Sequence, residues 1–253
     1  MSDTPASNPY AAPVSALQES PRDLRVPSIE EALSRGYDFN IGELLSEAWQ
    51  RTKGTKGIIV GGFLLFYTVM MVASLALGGL FALLGLASDS LVFNTVVEIV
   101  LGLFASALAY PFMAGIGMVG IRRAADQNIS FNEIFSHFGR TVPILITAIA
   151  CPLLIYLGLI LLIIPGIYLA IAYMLAIPLV VERGLSPWQA MEASRKAVGQ
   201  RWFKIFGLFL LLGLIVMISA IPLGIGLVWS MPLLIIAIGI LYRTIFGVLP
   251  APQ

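Results

Sequence analysis

Apolar residues run along this chain in three long stretches that contain no lysine or arginine: residues 57–121, 142–182 and 205–242. About 20 residues of helix cross the hydrocarbon core of a bilayer, so each stretch has room for two crossings and a turn. A polar or helix-breaking interruption lies inside each one: Ala87-Ser88-Asp89-Ser90, Pro165-Gly166 and Ile221-Pro222-Leu223-Gly224. The pattern predicts helices near 58–86, 91–121, 142–163, 166–182, 204–221 and 227–247. The fourth is short, and the second is long enough to need a tilt or a bend at Pro111.

A second pattern precedes each hairpin. Phe39-Asn40-Ile41-Gly42-Glu43-Leu44-Leu45, Ile129-Ser130-Phe131-Asn132-Glu133-Ile134-Phe135 and Leu185-Ser186-Pro187-Trp188-Gln189-Ala190-Met191 share one layout. An apolar residue is followed by Asn or Ser, then by Glu or Gln three places on, then by two apolar residues. That is a capping box with a hydrophobic staple: the cap oxygen accepts an orphan backbone N–H of the first turn, and the acid or amide reaches back. Pro187 fits the first helical position, where its missing N–H costs nothing. In the first two segments apolar residues fall on one arc at helical spacing: Ile41, Leu44, Leu45 and Ala48, then Phe131, Ile134, Phe135 and Phe138. The expected fold class is an all-α membrane protein of six transmembrane helices in three hairpins, each preceded by a short cytoplasmic amphipathic helix. Three such units imply an internal repeat about the membrane normal.

The tail reads differently. Residues 1–27 are rich in Pro, Ala and Ser and are expected to be disordered. Ser28-Ile29-Glu30-Glu31 is a fourth capping box, able to start a helix over 29–35 that stops at Gly36. The domain reading is therefore 1–35 as a mostly disordered cytoplasmic tail with that short helix, and 36–253 as the six-helix transmembrane domain. The first long apolar run begins near Gly57, too late for a cleaved leader.

Composition agrees with lipid as the main solvent: 58% of the residues are hydrophobic and 11% charged, against about 25% charged in a soluble domain. A net charge of +1 argues against a nucleic-acid partner. The single cysteine, Cys151, has no intrachain disulfide partner. Lys and Arg fall only in alternate connections, and the positive-inside rule makes that side cytoplasmic. The expected location is the bacterial inner membrane, multi-pass, with both ends in the cytoplasm.

Chemistry is sparse. Glu98 is the one ionisable group deep in a predicted span, with Asn94 one turn earlier as its polar neighbour. An intramembrane carboxylate is a functional candidate, but Glu98 lies near the outer end of its helix, where an interfacial role competes. His137 stands without cysteine or paired carboxylates, so no zinc site is expected. No phosphate loop, HExxH, GxSxG or dinucleotide fingerprint occurs. No catalytic, cofactor-binding or metal residues are therefore expected. Gly115, Gly117 and Gly120 lie in an apolar helix and suit close helix packing. Pro111, Pro152 and Pro232 are the candidates for kinks. The densest positive charge is Arg195, Lys196, Arg201 and Lys204, which with Trp188 and Trp202 forms a candidate contact for anionic lipid.

Residues Gly36-Tyr37-Asp38-Phe39-Asn40-Ile41-Gly42-Glu43-Leu44-Leu45-Ser46-Glu47-Ala48-Trp49 resemble the opening segment of small bacterial integral-membrane proteins related to the membrane domain attached to some glycerophosphodiester phosphodiesterases. Pro178-Leu179-Val180-Val181-Glu182-Arg183-Gly184-Leu185-Ser186-Pro187-Trp188-Gln189-Ala190-Met191-Glu192-Ala193-Ser194 looks like the segment after that family's fourth helix. The resemblance covers about residues 36–250 and implies a six-helix membrane domain. The catalytic domain has no counterpart, so no phosphodiesterase residues carry over. The expected function is a non-enzymatic membrane module that engages lipids or a membrane or cytoplasmic protein partner. The alternative is a small transporter or channel, whose path would need polar groups such as Glu98, Asn94, Thr95, Ser106, Tyr110, Thr147, Tyr156, Tyr173 and Ser219.

Overall fold

The computed structural model describes residues 26–83 and 90–250. All regular structure among them is helical. The elements are α1 (Ile29–Arg35), α2 (Ile41–Arg51), α3 (Lys56–Leu83), α4 (Leu91–Ala124), two 3-10 turns (Phe131–Phe135 and Phe138–Arg140), α5 (Thr141–Leu161), α6 (Ile163–Ala172), α7 (Ala176–Arg183), α8 (Pro187–Gln200), α9 (Trp202–Ala220) and α10 (Leu227–Phe246). Five described segments are long and apolar enough to cross a membrane: Lys56–Phe81, Phe131–Leu161, Ile163–Arg183, Trp202–Ala220 and Leu227–Phe246. The longest helix is α4, with 34 residues. Most of the turn at residues 87–90 lies outside the described residues; Ser90 caps α4 by accepting from the Phe93 N–H.

The caps explain where the short helices start. Ser28 and Ser186 each form a full capping box, with Glu31 and Gln189 reaching back. Asn40 accepts from the N–H groups of Gly42 and Glu43. The segment at Ser130 departs from the expectation. It makes no side-chain cap and winds as a 3-10 turn. Its Glu133 is drawn instead to Arg122 at 2.8 Å and His137 at 3.2 Å. A charged partner from α4 outcompetes the local cap, and the α-helical arc read for 131–138 is not formed.

Prolines and breaks also fall differently from the reading above. Pro111, Pro152 and Pro232 lie inside continuous α4, α5 and α10. The hairpin turn expected at Pro165-Gly166 sits at Leu162, which is extended at φ −157° and ψ 135°. Pro165 is then in the first turn of α6, where no intrahelical N–H is needed. A further break separates α6 from α7, with Pro178 in the first turn of α7 as Pro165 is in that of α6. There the Ser194 hydroxyl of α8 donates to the Ala172 carbonyl at 2.6 Å and accepts from Leu175 N–H at 3.2 Å.

The core runs along α4 and α10. Tyr242, Phe246, Ile116 and Ile121 are fully buried there. Small residues bring backbones together: a Cβ on Gly239 would fall on the Gly120 carbonyl, one on Gly120 on the Ile235 carbonyl, and one on Gly115 on the Ile134 backbone. Each segment ahead of a hairpin packs on a helix that ends another one: α2 on α10, the 3-10 turn on α4, and α8 on α7.

The arginines at this basic end do structural work. Helices leave their last carbonyls unpaired, and cations suit that negative end. Arg51 and Arg243 donate to the carbonyls of Arg123 and Ala124 at the end of α4. Arg35 donates to Ile245 and Arg183 to Phe246 at the end of α10. Arg140 donates to Val180 in α7. Every one of these caps comes from a different element, so closing the helix ends also ties the elements together.

Candidate functional site

The candidate lipid contact resolves into two ion-paired groups beside an apolar groove. On α8, Glu192 holds Arg195 at 3.0 Å and Lys196 at 3.2 Å. At the start of α9, Asp38 holds Lys204 at 2.6 Å, with Arg201 at 3.8 Å. The Lys204 bond is the first cause holding the Asp38 carboxyl below its usual value, and Arg195 does the same for Glu192. All four cations remain solvent-accessible. Four cations against two carboxylates leave a surplus of two positive charges on this face. Lys204 also sits 5.3 Å above the Phe39 ring, a contact of cation–π type.

The groove has a volume of about 830 Å³. Its wall is a stack: Trp202 stacks with Tyr168, at 5.9 Å, and with Phe206, at 5.1 Å. The indole N–H donates to the Tyr168 carbonyl at 3.3 Å. Ile164 and Ile167 extend the apolar lining, while Arg201 and Lys204 stand on the rim. The fold creates this stack by starting α9 against α6. Phe203, next to Trp202, is exposed.

Other predicted residues sit elsewhere. Trp188 is 70% exposed, in the first turn of α8 and not in the groove lining. Glu98 and Asn94 are both exposed on α4. Glu98 is 24 residues before Arg122, or roughly 36 Å along a helix at 1.5 Å per residue. That exceeds the ~30 Å thickness of a hydrocarbon core.

A second cavity, about 370 Å³, was not anticipated. Arg122, Glu133, His137 and Glu182 line it together with the C-terminal Leu249. Glu182 accepts from Tyr242 Oη at 2.7 Å and from Leu249 N–H at 2.5 Å. Arg183 Nε stands 2.7 Å from the same carboxylate. Its carboxylates are thus partnered within the fold, and the cluster holds the segment that follows α10. No group of three or more metal-ligating side chains comes together among the described residues.

Sequence reading found the cations and Trp202 but missed their counter-ions and the stack. Glu192 was legible, three and four places before Arg195 and Lys196. Asp38, Tyr168 and Phe206 carried no such signal, because they meet the cluster only through tertiary contact.

The apolar helices and this amphipathic groove define an all-helical membrane protein. No family model matches the chain, and neither a curated protein nor a solved structure is detectably similar to it.

Proposed function

We propose that this is a non-enzymatic module of the bacterial inner membrane that holds anionic phospholipid at the Trp202 groove. The observation that carries the reading is the join between an apolar trough and a rim, Arg201 and Lys204, that keeps one positive charge beyond Asp38, with a second surplus charge beside it on α8. An acyl chain fits the trough, and a phosphate fits the rim. Each Lys or Arg near an anionic leaflet contributes about 1 kcal/mol. The same polarity supports three hairpins that begin and end in the cytoplasm, with both termini there and six crossings where all are complete. The packing of α2, the 3-10 turn and α8 on other hairpins supports an internal repeat.

The transport reading draws less support. Two of the hydroxyls it needs donate to their own helices: Thr147 to the Pro143 carbonyl and Ser106 to that of Gly102.

The test replaces Arg195, Lys196, Arg201 and Lys204 by Gln and measures the phosphatidylglycerol and cardiolipin that co-purify. A Trp202→Ala variant probes the trough separately. The anionic fraction should fall in both, with topology reporters unchanged. Wild-type levels in both would show that the cluster only orients the chain.

A further inference from the structure

The segment Ile163–Arg183 is 21 residues long and apolar enough to cross a bilayer. As a crossing, its middle would be near Tyr173. The amphipathic helix α8 lies beside that middle. Ser194 bonds the Ala172 carbonyl, and Tyr173 is within electrostatic reach of Glu192 and Arg195. Arg195 is also within electrostatic reach of Tyr168. Glu192, Arg195 and Lys196 are solvent-accessible there, not sealed in a core. Further along, Lys204 and Arg201 line the same groove as Ile164, which a crossing would put at the opposite headgroup layer.

Accessible charges at the centre of a bilayer are strongly disfavoured. The charges therefore mark where water and headgroups are, and that level passes α6 near Tyr168. Tyrosine and tryptophan favour this interface, and Tyr168 and Trp202 stack at this height. Beyond it only the tip of the hairpin remains. From Tyr168 to Leu162 is about 9 Å of helix, comparable to the ~5–10 Å by which interfacial helices embed. The tip is apolar on all sides: Leu157, Ile160, Leu161, Leu162, Ile163 and Ile164 are all exposed. It is also tightly closed, with the Gly158 and Gly166 backbones in contact.

We infer that the α5–α6 hairpin does not cross the bilayer but inserts its tip, residues 157–164, into the acyl-chain region of the cytoplasmic leaflet. The occupant of this surface is lipid. The returning chain still ends on the cytoplasmic side, so the placement of both termini is unaffected. The inference rests on the basic face being cytoplasmic, and not on the groove selecting anionic lipid.

The test uses single-cysteine variants of the full chain in a Cys151→Ala background. Ser90→Cys reports the far end of the α3–α4 hairpin and Leu162→Cys the α5–α6 tip. A membrane-impermeant maleimide added outside should label Ser90→Cys and leave Leu162→Cys unlabelled. A nitroxide on Leu162→Cys should lie within about 10 Å of the inner phosphate level, as interfacial embedding requires, read by power saturation with a nickel chelate trapped inside the vesicles. Labelling of Leu162→Cys from outside overturns the inference, as does a nitroxide depth at or beyond the bilayer centre. Failure of Ser90→Cys to label from outside would instead remove the orientation on which it rests.

Discussion

Ser194 donates its hydroxyl hydrogen to the Ala172 carbonyl at 2.6 Å, from the buried face of α8 into the break between α6 and α7. The same oxygen accepts from Leu175 N–H. The break frees both backbone groups, and both residues are fully buried. Ser194→Ala leaves both buried and unsatisfied, which costs about 1–3 kcal/mol. Unfolding of purified protein in detergent should show that loss, and Ser194→Thr should retain part of the bond. Stability unchanged in Ser194→Ala would show that the break is held by packing alone.

The α4–α10 seam depends on two glycines. A methyl group on Gly120 or Gly239 meets backbone, which has no rotamer through which to yield. Either alanine substitution should destabilise the fold by about 1–3 kcal/mol, the usual cost of overpacking. Gly117 lies in the same helix with open space around it. Gly117→Ala should be neutral or stabilising by up to about 1 kcal/mol through helix propensity. Equal effects at all three positions would contradict a close seam.

The junction of α2 with α10 should be acid-sensitive. Burial pushes the Glu47 carboxyl up, but Arg243 and then Arg51 outweigh it and hold it below its usual 4.5. A depressed carboxylate gives stability that is present above the ordinary value and is lost as pH falls through the folded one. Thermal stability should therefore drop below about pH 4.5, the usual glutamate range. Glu47→Gln should start lower and show a flatter acid limb. An unaltered acid limb in that variant would assign the sensitivity to other groups.

Glycerophosphodiesters should not be hydrolysed by the purified chain, since the carboxylates of the Arg122 cavity are bound by the fold and not directed at a reacting atom. Release of glycerol phosphate that disappears on changing Glu133 or His137 would establish an activity and reverse this view.

Helix positions were legible because they follow from local pattern. The stretches without Lys or Arg predicted six apolar helices, and five described segments are long and apolar enough to cross a membrane. Ser28 and Ser186 form the full capping boxes their sequence context predicts, while Asn40 caps without the return bond from Glu43. The candidate site was half legible. Charge clusters show in sequence, but Asp38 reaches Lys204 across 166 positions, and Tyr168 reaches Trp202 across 34.

The sequence by itself determined the class of protein and the separation of its charge from the apolar stretches, because hydropathy and the placement of Lys and Arg are properties of composition along the chain. Depth was decided only by tertiary structure. Lys204 and Ile164 line one groove, and the Lys56 ammonium lies 5.1 Å over the Trp229 ring, although counting residues along hairpins assigns each pair to opposite faces. Local pattern says how long a helix is. Where that helix stands relative to the headgroups depends on which charged side chains other elements bring beside it, and the folding of α8 along α6 supplies them here.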